Sequence, residues 1–143
     1  MKKTFLLAAA ALLSLGSFAQ ENKEGFEFTV VKENPITSVK DQHRAGTCWC
    51  YSSLGFIESE LIRMGKGEFD LSEMFIVHNT YLDRADRAVR THGDVSFSQG
   101  GSFYDVMYGM KTFGLVPEAE MRPGVMYGDT LSVHGELTIV SNA

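Results

Sequence analysis

Two residues near the start of the chain have the types and the spacing needed for nucleophilic chemistry. Cys48 stands where a polar loop, 40–47, gives way to a segment whose apolar spacing predicts a helix. The first turn of a helix has free amide N–H groups and the positive end of the helix dipole, and both favour a thiolate. Gln42 lies upstream in the same loop, and its amide could donate to the oxyanion of an attacked carbonyl. The pair predicts an acyl-transfer site with Cys48 as the nucleophile.

The second cysteine of the chain, Cys50, is predicted to have a different role. Side chains two residues apart on a helix point to different sides, so Cys48 and Cys50 are not expected to form a disulfide. Cys50 belongs to the apolar stripe of the helix and is interpreted as a small buried hydrophobe. A metal site built on the two cysteines is excluded by the number and the direction of its ligands, and no metal or cofactor is expected.

Three helices are predicted to position these residues, over 48–64, 70–90 and 102–113. The first helix has two adjacent apolar stripes and is predicted to be buried on most sides. The third is predicted to be capped by Ser102 and Asp105 and to end at Gly114.

The second helix has two candidate start signals. Asp70 and Glu73 could form a capping box, and Ser72 is the competing N-cap. His78 falls on the inward stripe and is interpreted as a satisfied core histidine. The opposite face is predicted to be solvated, and it carries Asp83, Arg84, Asp86 and Arg87.

The ends of the chain divide into a targeting segment, a linker and the rest. Residues 1–19 combine two lysines, an apolar run and small residues at a cleavage position, which predicts a signal peptide and a periplasmic or secreted protein. The run is short for a bilayer span, so an uncleaved anchor is disfavoured and no membrane association is expected after cleavage. Residues 20–35 are predicted to be a linker with a short strand over 26–31, and 130–143 is ambiguous between helix and strand.

The charge of the chain restricts its partners. The formal net charge is −5 at pH 7, and loss of the two lysines at the N-terminus would make it more negative. An acidic chain without a basic patch is not expected to bind nucleic acid.

Four sequence elements, in order and at the right spacing, resemble the papain-like cysteine peptidase superfamily. They are the lead-in 36–42 ending at Gln42, the Cys48-Trp49 pair, Leu71-Ser72-Glu73, and Gly100-Gly101 before a helix. The resemblance implies an α+β fold of which this chain is mainly the helical N-terminal subdomain, with 36–143 a partial peptidase domain and the β-rich C-terminal subdomain missing. It also implies that Gln42 belongs to the oxyanion hole and that Gly100 and Gly101 bind the main chain of a peptide substrate.

Within the superfamily, the sequence is most similar to the branch of bleomycin hydrolase and aminopeptidase C. Ala45 stands where papain has a disulfide cysteine, the loop 91–99 is longer than papain's, and the stretch 114–118 resembles the Gly-Leu-Val-Pro of that branch. The resemblance implies an aminopeptidase acting on peptides, with room for a homo-oligomer in the full-length form. In that branch a C-terminal tail restricts the active site to exopeptidase action, and since the tail is not part of this sequence, endopeptidase action stays open. Cys50 departs from the usual small or apolar residue of both branches.

The general base of such an enzyme is expected outside this sequence. In papain-like enzymes the catalytic His and Asn lie about 130–150 residues after the Cys. That spacing disfavours His43, His78, His92 and His134 as the base. The chain is therefore interpreted as truncated and inactive by itself. The alternative function is a non-catalytic helical module that binds a partner through its unfinished apolar face, with an inhibitor-like propeptide as a weaker form.

Overall fold

A computed structural model describes residues 25–26, 28–95, 97–124, 128 and 131–141. The chain divides into two compact units, 1–32 and 33–143. In the first unit, the described residues form no strand, so the strand predicted over 26–31 is not found there. Phe26 and Phe28 are exposed, and their ring centroids lie 6.2 Å apart. The predicted signal peptide, 1–19, lies outside the described residues.

In the described part of the second unit, the regular structure consists of four α-helices and one 3₁₀ turn. They are α1 (Cys48–Arg63), α2 (Glu73–Arg90), α3 (Phe103–Phe113), the turn Glu118–Glu120 and α4 (Gly135–Ser141). The three helices predicted from apolar spacing are confirmed to within a few residues at each end. The ambiguous segment at the C-terminal end is helical over Gly135–Ser141.

Helix α1 carries the candidate nucleophile at its first residue and ends where Gly65 adopts a φ of 68°. Its buried side chains are Trp49, Cys50, Ser53, Leu54 and Glu58. The prediction that α1 is buried on most sides is wrong, since Phe56 is 57% exposed and Met64 is 53% exposed. The buried face is therefore narrower than the apolar pattern indicated.

Helix α2 begins after Ser72, whose Oγ accepts a hydrogen bond from the Phe75 N–H at 3.1 Å. The capping box of Asp70 and Glu73 is not formed, because both carboxylates contact Lys40 instead. His78 is exposed, so its interpretation as a core histidine is wrong.

Helix α3 has the predicted capping box of Ser102 and Asp105, and Gly114 ends it with a φ of 85°. It packs closely on α2, because a Cβ at Gly109 would lie 3.2 Å from Ile76 Cδ1. Phe113, the last residue of α3, is 40% exposed.

The core of the second unit lies between α1, α2 and α3. Its buried hydrophobic residues are Trp49, Cys50, Leu54, Leu71, Met74, Ile76, Val77, Tyr81, Phe97 and Val106. Two isolated bridges are found among the described residues: an antiparallel one between Pro117 and the core residue Leu71, and a parallel one between the exposed Arg44 and Val133. Among the described residues, no helix is both long and apolar enough to cross a bilayer.

Candidate active site

Cys48, the predicted nucleophile, lies at the start of α1. Cys48 is the first residue of α1, and its thiol is free and exposed. The Thr47 carbonyl accepts from the N–H groups of Cys50 and Tyr51, at 2.9 and 3.3 Å, which starts the helix immediately before the nucleophile. The sulfur therefore lies at the N-terminal end of α1, where the first backbone N–H groups of a helix have no partner within the helix.

Cys50 has the opposite surroundings. Its side chain is fully buried, and its Sγ lies 3.5 Å from the Glu73 carbonyl oxygen, to which the thiol donates. Burial, assisted by the charge of Glu73, raises the pKa of the Cys50 thiol well above its ordinary value. Cys50 therefore stays a protonated thiol, and its interpretation as a buried core residue is confirmed.

Gln42 is partly buried in the loop that leads to the nucleophile. Its Nε2 donates to the Ala45 carbonyl at 2.9 Å, which folds the loop back on itself. A side-chain amide has two N–H donors, so this bond leaves one of them for another acceptor.

The rest of this loop is held by a segment from the far end of the chain. The Arg44 N–H donates to the Ser132 carbonyl at 3.1 Å, and the His134 N–H donates to the Arg44 carbonyl at 3.2 Å. His43 adopts a φ of 50°, and its Nδ1 lies 3.3 Å from the same Ser132 carbonyl, so Nδ1 carries the proton in this contact.

Gln99 connects the nucleophile loop to α4. Its Oε1 accepts from the Gly46 N–H at 2.8 Å. Its Nε2 donates to the His134 carbonyl at 3.1 Å and also to Thr138 Oγ1. Sequence reasoning missed this residue, because nothing in a loop glutamine indicates partners 53 and 35 positions away.

The segment 98–101 lies directly against the neighbour of the nucleophile. The Gln99 carbonyl accepts from Trp49 Nε1 at 2.9 Å and from the Tyr81 hydroxyl at 3.3 Å. A Cβ at Gly101 would lie 2.6 Å from two atoms of the Trp49 indole, so only glycine fits there without a shift.

Arg84 holds the carbonyls on either side of Gln99. Its Nη1 donates to the Ser98 carbonyl at 2.8 Å and to the Gly100 carbonyl. The prediction that Arg84 faces solvent is wrong, since its side chain is only 16% exposed.

The four histidines are not joined to Cys48 by any hydrogen bond among the described residues. His134 is half-buried, its Nδ1 lies 3.5 Å from the Tyr81 hydroxyl, and burial lowers its pKa. His92 lies in the loop after α2 with a φ of 52°. The expectation that the base is none of the four stays a prediction.

A charge cluster, in which Glu58 and Glu73 are buried and Asp70 is exposed, fixes the lead-in to the loop, and it was not predicted. Lys40 Nζ lies 2.8 Å from Asp70 Oδ1 and 3.0 Å from Glu73 Oε1. Burial alone would lower the pKa of Lys40, but these carboxylates raise it above its ordinary value. Glu58 accepts from the Leu71 N–H at 2.7 Å and from the Thr37 hydroxyl at 2.5 Å, which ties the lead-in to α1.

Residues 24–107 match the sequence profile described as "Papain family cysteine protease". The match covers more than half of the chain, so the chain belongs to the papain family of cysteine proteases. Its described helices correspond to the helical N-terminal subdomain of that fold, as predicted.

Similar curated proteins are viral cathepsins of insect viruses. The chain is 44% identical over 50 residues to the viral cathepsin of Spodoptera exigua nuclear polyhedrosis virus (strain US), covering 35% of this chain and 15% of that protein. It is 38% identical over 56 residues to that of Spodoptera litura multicapsid nucleopolyhedrovirus, with 39% and 16% covered. It is 32% identical over 62 residues to the viral cathepsin of Choristoneura fumiferana nuclear polyhedrosis virus, covering 43% of this chain and 19% of that protein. The chain thus spans less than a fifth of the length of these relatives.

Proposed function

We propose that this chain supplies the nucleophile and part of the substrate cleft of a cysteine peptidase. The observation that carries the proposal is the contrast between an exposed Cys48 at a helix start and a buried Cys50 two residues later. The Cys48 thiolate attacks the peptide carbonyl and forms a C–S bond. The C–N bond then breaks, the amine leaves with a proton, and water hydrolyses the thioester to release the acid and the thiol.

The oxyanion of this reaction would be stabilised by two donors. One is the Cys48 backbone N–H, and the other is the second N–H of the Gln42 amide. The bond from Gln42 to Ala45 supports this role, because it holds the amide in the turn that leads to the nucleophile. One such donor contributes about 3 kcal/mol of transition-state stabilisation.

The peptide main chain would pair with Gly100 and Gly101. The carbonyls of Ser98, Gln99 and Gly100 accept bonds from Arg84, Trp49 and Tyr81. The N–H and C=O of Gly101 take no part in these bonds among the described residues, and Gly101 is exposed. An edge of this kind suits an extended peptide, whose own N–H and C=O need partners.

The base and its orienting residue are proposed to come from residues that follow this sequence in the complete enzyme. A His accepts the thiol proton and gives it to the leaving amine, and an Asn or Asp orients that His. Without them we expect no efficient turnover by residues 1–143 alone.

A finer assignment, to the bleomycin hydrolase and aminopeptidase C branch, is also proposed. Ala45 is buried at 5% exposure, which suits a small apolar residue in place of a disulfide cysteine. The stretch 114–118 pairs with the start of α2 through Ser72 N–H to the Val116 carbonyl at 3.0 Å and Glu118 N–H to the Asp70 carbonyl at 2.9 Å. We therefore propose that the chain belongs to an exported aminopeptidase and that residues 1–19 are its cleavable signal peptide.

The test uses the longest natural chain that contains this sequence. Aminoacyl-aminomethylcoumarin should be hydrolysed, and the same substrate with a blocked amino group should not be. Cys48→Ala should abolish the hydrolysis, while Cys50→Ala, matched in chemistry and neighbouring in sequence, should retain it. Hydrolysis that survives Cys48→Ala would refute the peptidase proposal. Equal hydrolysis of the blocked substrate would refute only the aminopeptidase assignment.

A binding module without catalysis is the second candidate, and one exposed aromatic cluster favours it. Phe56 and Phe103 form an edge-to-face pair with centroids 6.1 Å apart, and they are 57% and 47% exposed. Exposed apolar patches often mark interaction sites. Under this candidate, Phe56→Ser with Phe103→Ser would remove partner binding while Cys48→Ala would leave the function intact.

A further inference from the structure

We propose that Arg84 is a positioning residue that fixes the substrate-binding segment 98–101, and that it sets the recognition of the peptide main chain rather than the reactivity of Cys48. This inference rests on the proposed function, because it concerns the same cleft. Arg84 belongs to α2 and lies on the face of that helix predicted to be solvated.

The contacts of Arg84 converge on one short stretch of backbone. Nη1 donates to the Ser98 carbonyl at 2.8 Å and to the Gly100 carbonyl. Nη2 lies 3.1 Å from Asp105 Oδ1, and Cζ lies 5.8 Å from the centroid of the Trp49 ring. A guanidinium can make all these contacts at once because its donors form a rigid planar fork that also stacks on aromatic rings.

The burial of Arg84 separates it from the other arginines of α2. Its side chain is 16% exposed, against 55% for Arg87 and 76% for Arg90, whose partners are carboxylates one turn away on the same helix. Burial opposes ionisation of Asp105, but its bonds from Ser102 and Arg84 hold the pKa of its carboxyl below the ordinary value. Arg84 thus joins α2, the segment 98–101 and the start of α3.

These contacts restrict the position of the Gly101 backbone. A Cβ at this position would be 2.6 Å from the Trp49 ring and 3.1 Å from Arg84 Nη2, so the backbone lies against both groups. Loss of the guanidinium would free the Ser98 and Gly100 carbonyls and remove one side of this support. The N–H and C=O of Gly101 would then lose their fixed direction, which weakens pairing with an incoming peptide. No bond joins Arg84 to Cys48, so the thiol itself would be unaffected.

The experiment compares two alkylating reagents on the longest natural chain that contains this sequence. Chloroacetone and a dipeptidyl chloromethyl ketone both form a C–S bond to Cys48 and release chloride, but only the second carries a peptide main chain. We expect the dipeptidyl reagent to react faster with the unmodified chain. Arg84→Gln should lower that rate about tenfold, equivalent to one or two hydrogen bonds, and leave the chloroacetone rate within about twofold.

Three further measurements control the comparison. Arg84→Lys keeps the charge beside Asp105 without the planar fork, so it should lose most of the peptide-dependent rate while keeping the fold. Arg87→Gln, on the same helix and away from 98–101, should change neither rate. The fluorescence emission maximum of Trp49, the single tryptophan of residues 1–143, should shift in both Arg84 variants and not in Arg87→Gln.

The possible results separate the two proposals. If the unmodified chain reacts no faster with the dipeptidyl reagent, the peptidase cleft itself is refuted. If it does react faster and both Arg84 variants keep the full advantage, the positioning role of Arg84 is refuted. An equal fall of both rates in Arg84→Lys would also overturn the inference, since the residue would then act on the thiol.

Discussion

At the scale of single residues, Cys48 and Cys50 have opposite surroundings, one exposed and one buried, although they are only two positions apart. The different positions of Cys48 and Cys50 follow from helical geometry alone, and the structure places them as expected. Arg84 looked like any other charge on a solvated face, because its partners at 98, 100 and 105 come from another part of the chain. His78 failed for the converse reason: its stripe is apolar, but α2 is covered only over part of that stripe.

The two cysteines should differ strongly in reactivity. With iodoacetamide at pH 7, Cys48 should be alkylated at least about a hundredfold faster than Cys50, because reaction needs an accessible thiolate. Peptide mass spectrometry measures both rates in one sample. In strong denaturant the two rates should converge, which serves as the control. Similar rates in the folded chain would contradict the assignment of Cys50 to the core.

The paired glycines should differ in their tolerance of a methyl group. Gly101→Ala should destabilise the fold by about 1–3 kcal/mol, because its Cβ overlaps the Trp49 ring. Gly100→Ala, in which the Cβ meets nothing within 4 Å, should change the free energy of unfolding by less than about 0.5 kcal/mol. Thermal unfolding followed by circular dichroism compares the two variants. Equal stability would show that the segment is free to move off the indole.

At the scale of elements, apolar spacing predicted the helices well and their environments less well. The bodies of α1, α2 and α3 follow from periodicity, and the cap of α3 follows from Ser102 and Asp105. The start of α2 offered two caps, and the choice of Ser72 depends on Lys40 drawing Asp70 and Glu73 into ion pairs. Local sequence cannot supply that contact, which spans about thirty residues.

Ser72 should contribute more to stability than an ordinary helix serine. Its Oγ accepts from the Phe75 N–H at 3.1 Å and donates to the Met121 carbonyl at 2.6 Å, and the residue is 1% exposed. Ser72→Ala should therefore cost about 1–2 kcal/mol. Ser52→Ala, at an exposed position of α1, is the matched control and should be nearly neutral. Chemical denaturation measures both, and a neutral Ser72→Ala would mean that another group caps α2.

At the scale of the whole molecule, the second unit is held together by long-range polar contacts that no pattern indicated. Lys40 and Glu58 join the lead-in to α1 and α2, and Gln99 joins the nucleophile loop to α4. Polar side chains of this kind have no periodicity, so only the folded chain shows that they meet. The family motif could be read from the sequence because each of its four elements is a short run of adjacent residues, whereas the supporting contacts could not.

Glu118 should make the free energy of unfolding fall as the pH rises from about 4.5 to about 7. Burial and then the charge of Glu73 raise its pKa from 4.5 to about 7, although Lys40 partly opposes this. Its Oε2 is buried without a hydrogen-bond partner among the described residues. The folded chain thus holds this proton more tightly than the unfolded chain. The contribution of the protonated Glu118 carboxyl to the free energy of unfolding is complete below about pH 4.5 and is lost as the pH rises to about 7.

Glu118→Gln should abolish that contribution to the pH profile. The variant should resemble the parent chain near pH 4.5 and become the more stable of the two above pH 7, as measured by thermal unfolding. Glu120→Gln, at an exposed position in the same 3₁₀ turn, should follow the parent at every pH. If the Glu118→Gln and parent curves stay parallel from pH 4 to 8, the carboxyl is not the source.

The unequal exposure of the two cysteines also limits what oxidation can do to this molecule. Only one sulfur per folded chain is open to disulfide exchange, so the reaction ends with one small thiol attached or with two copies joined. Either product covers the atom on which the proposed hydrolysis depends. A reductant that reaches the surface cleaves this disulfide and regenerates the free thiol of Cys48. The proposed hydrolysis should therefore depend reversibly on the ratio of thiol to disulfide in the solution.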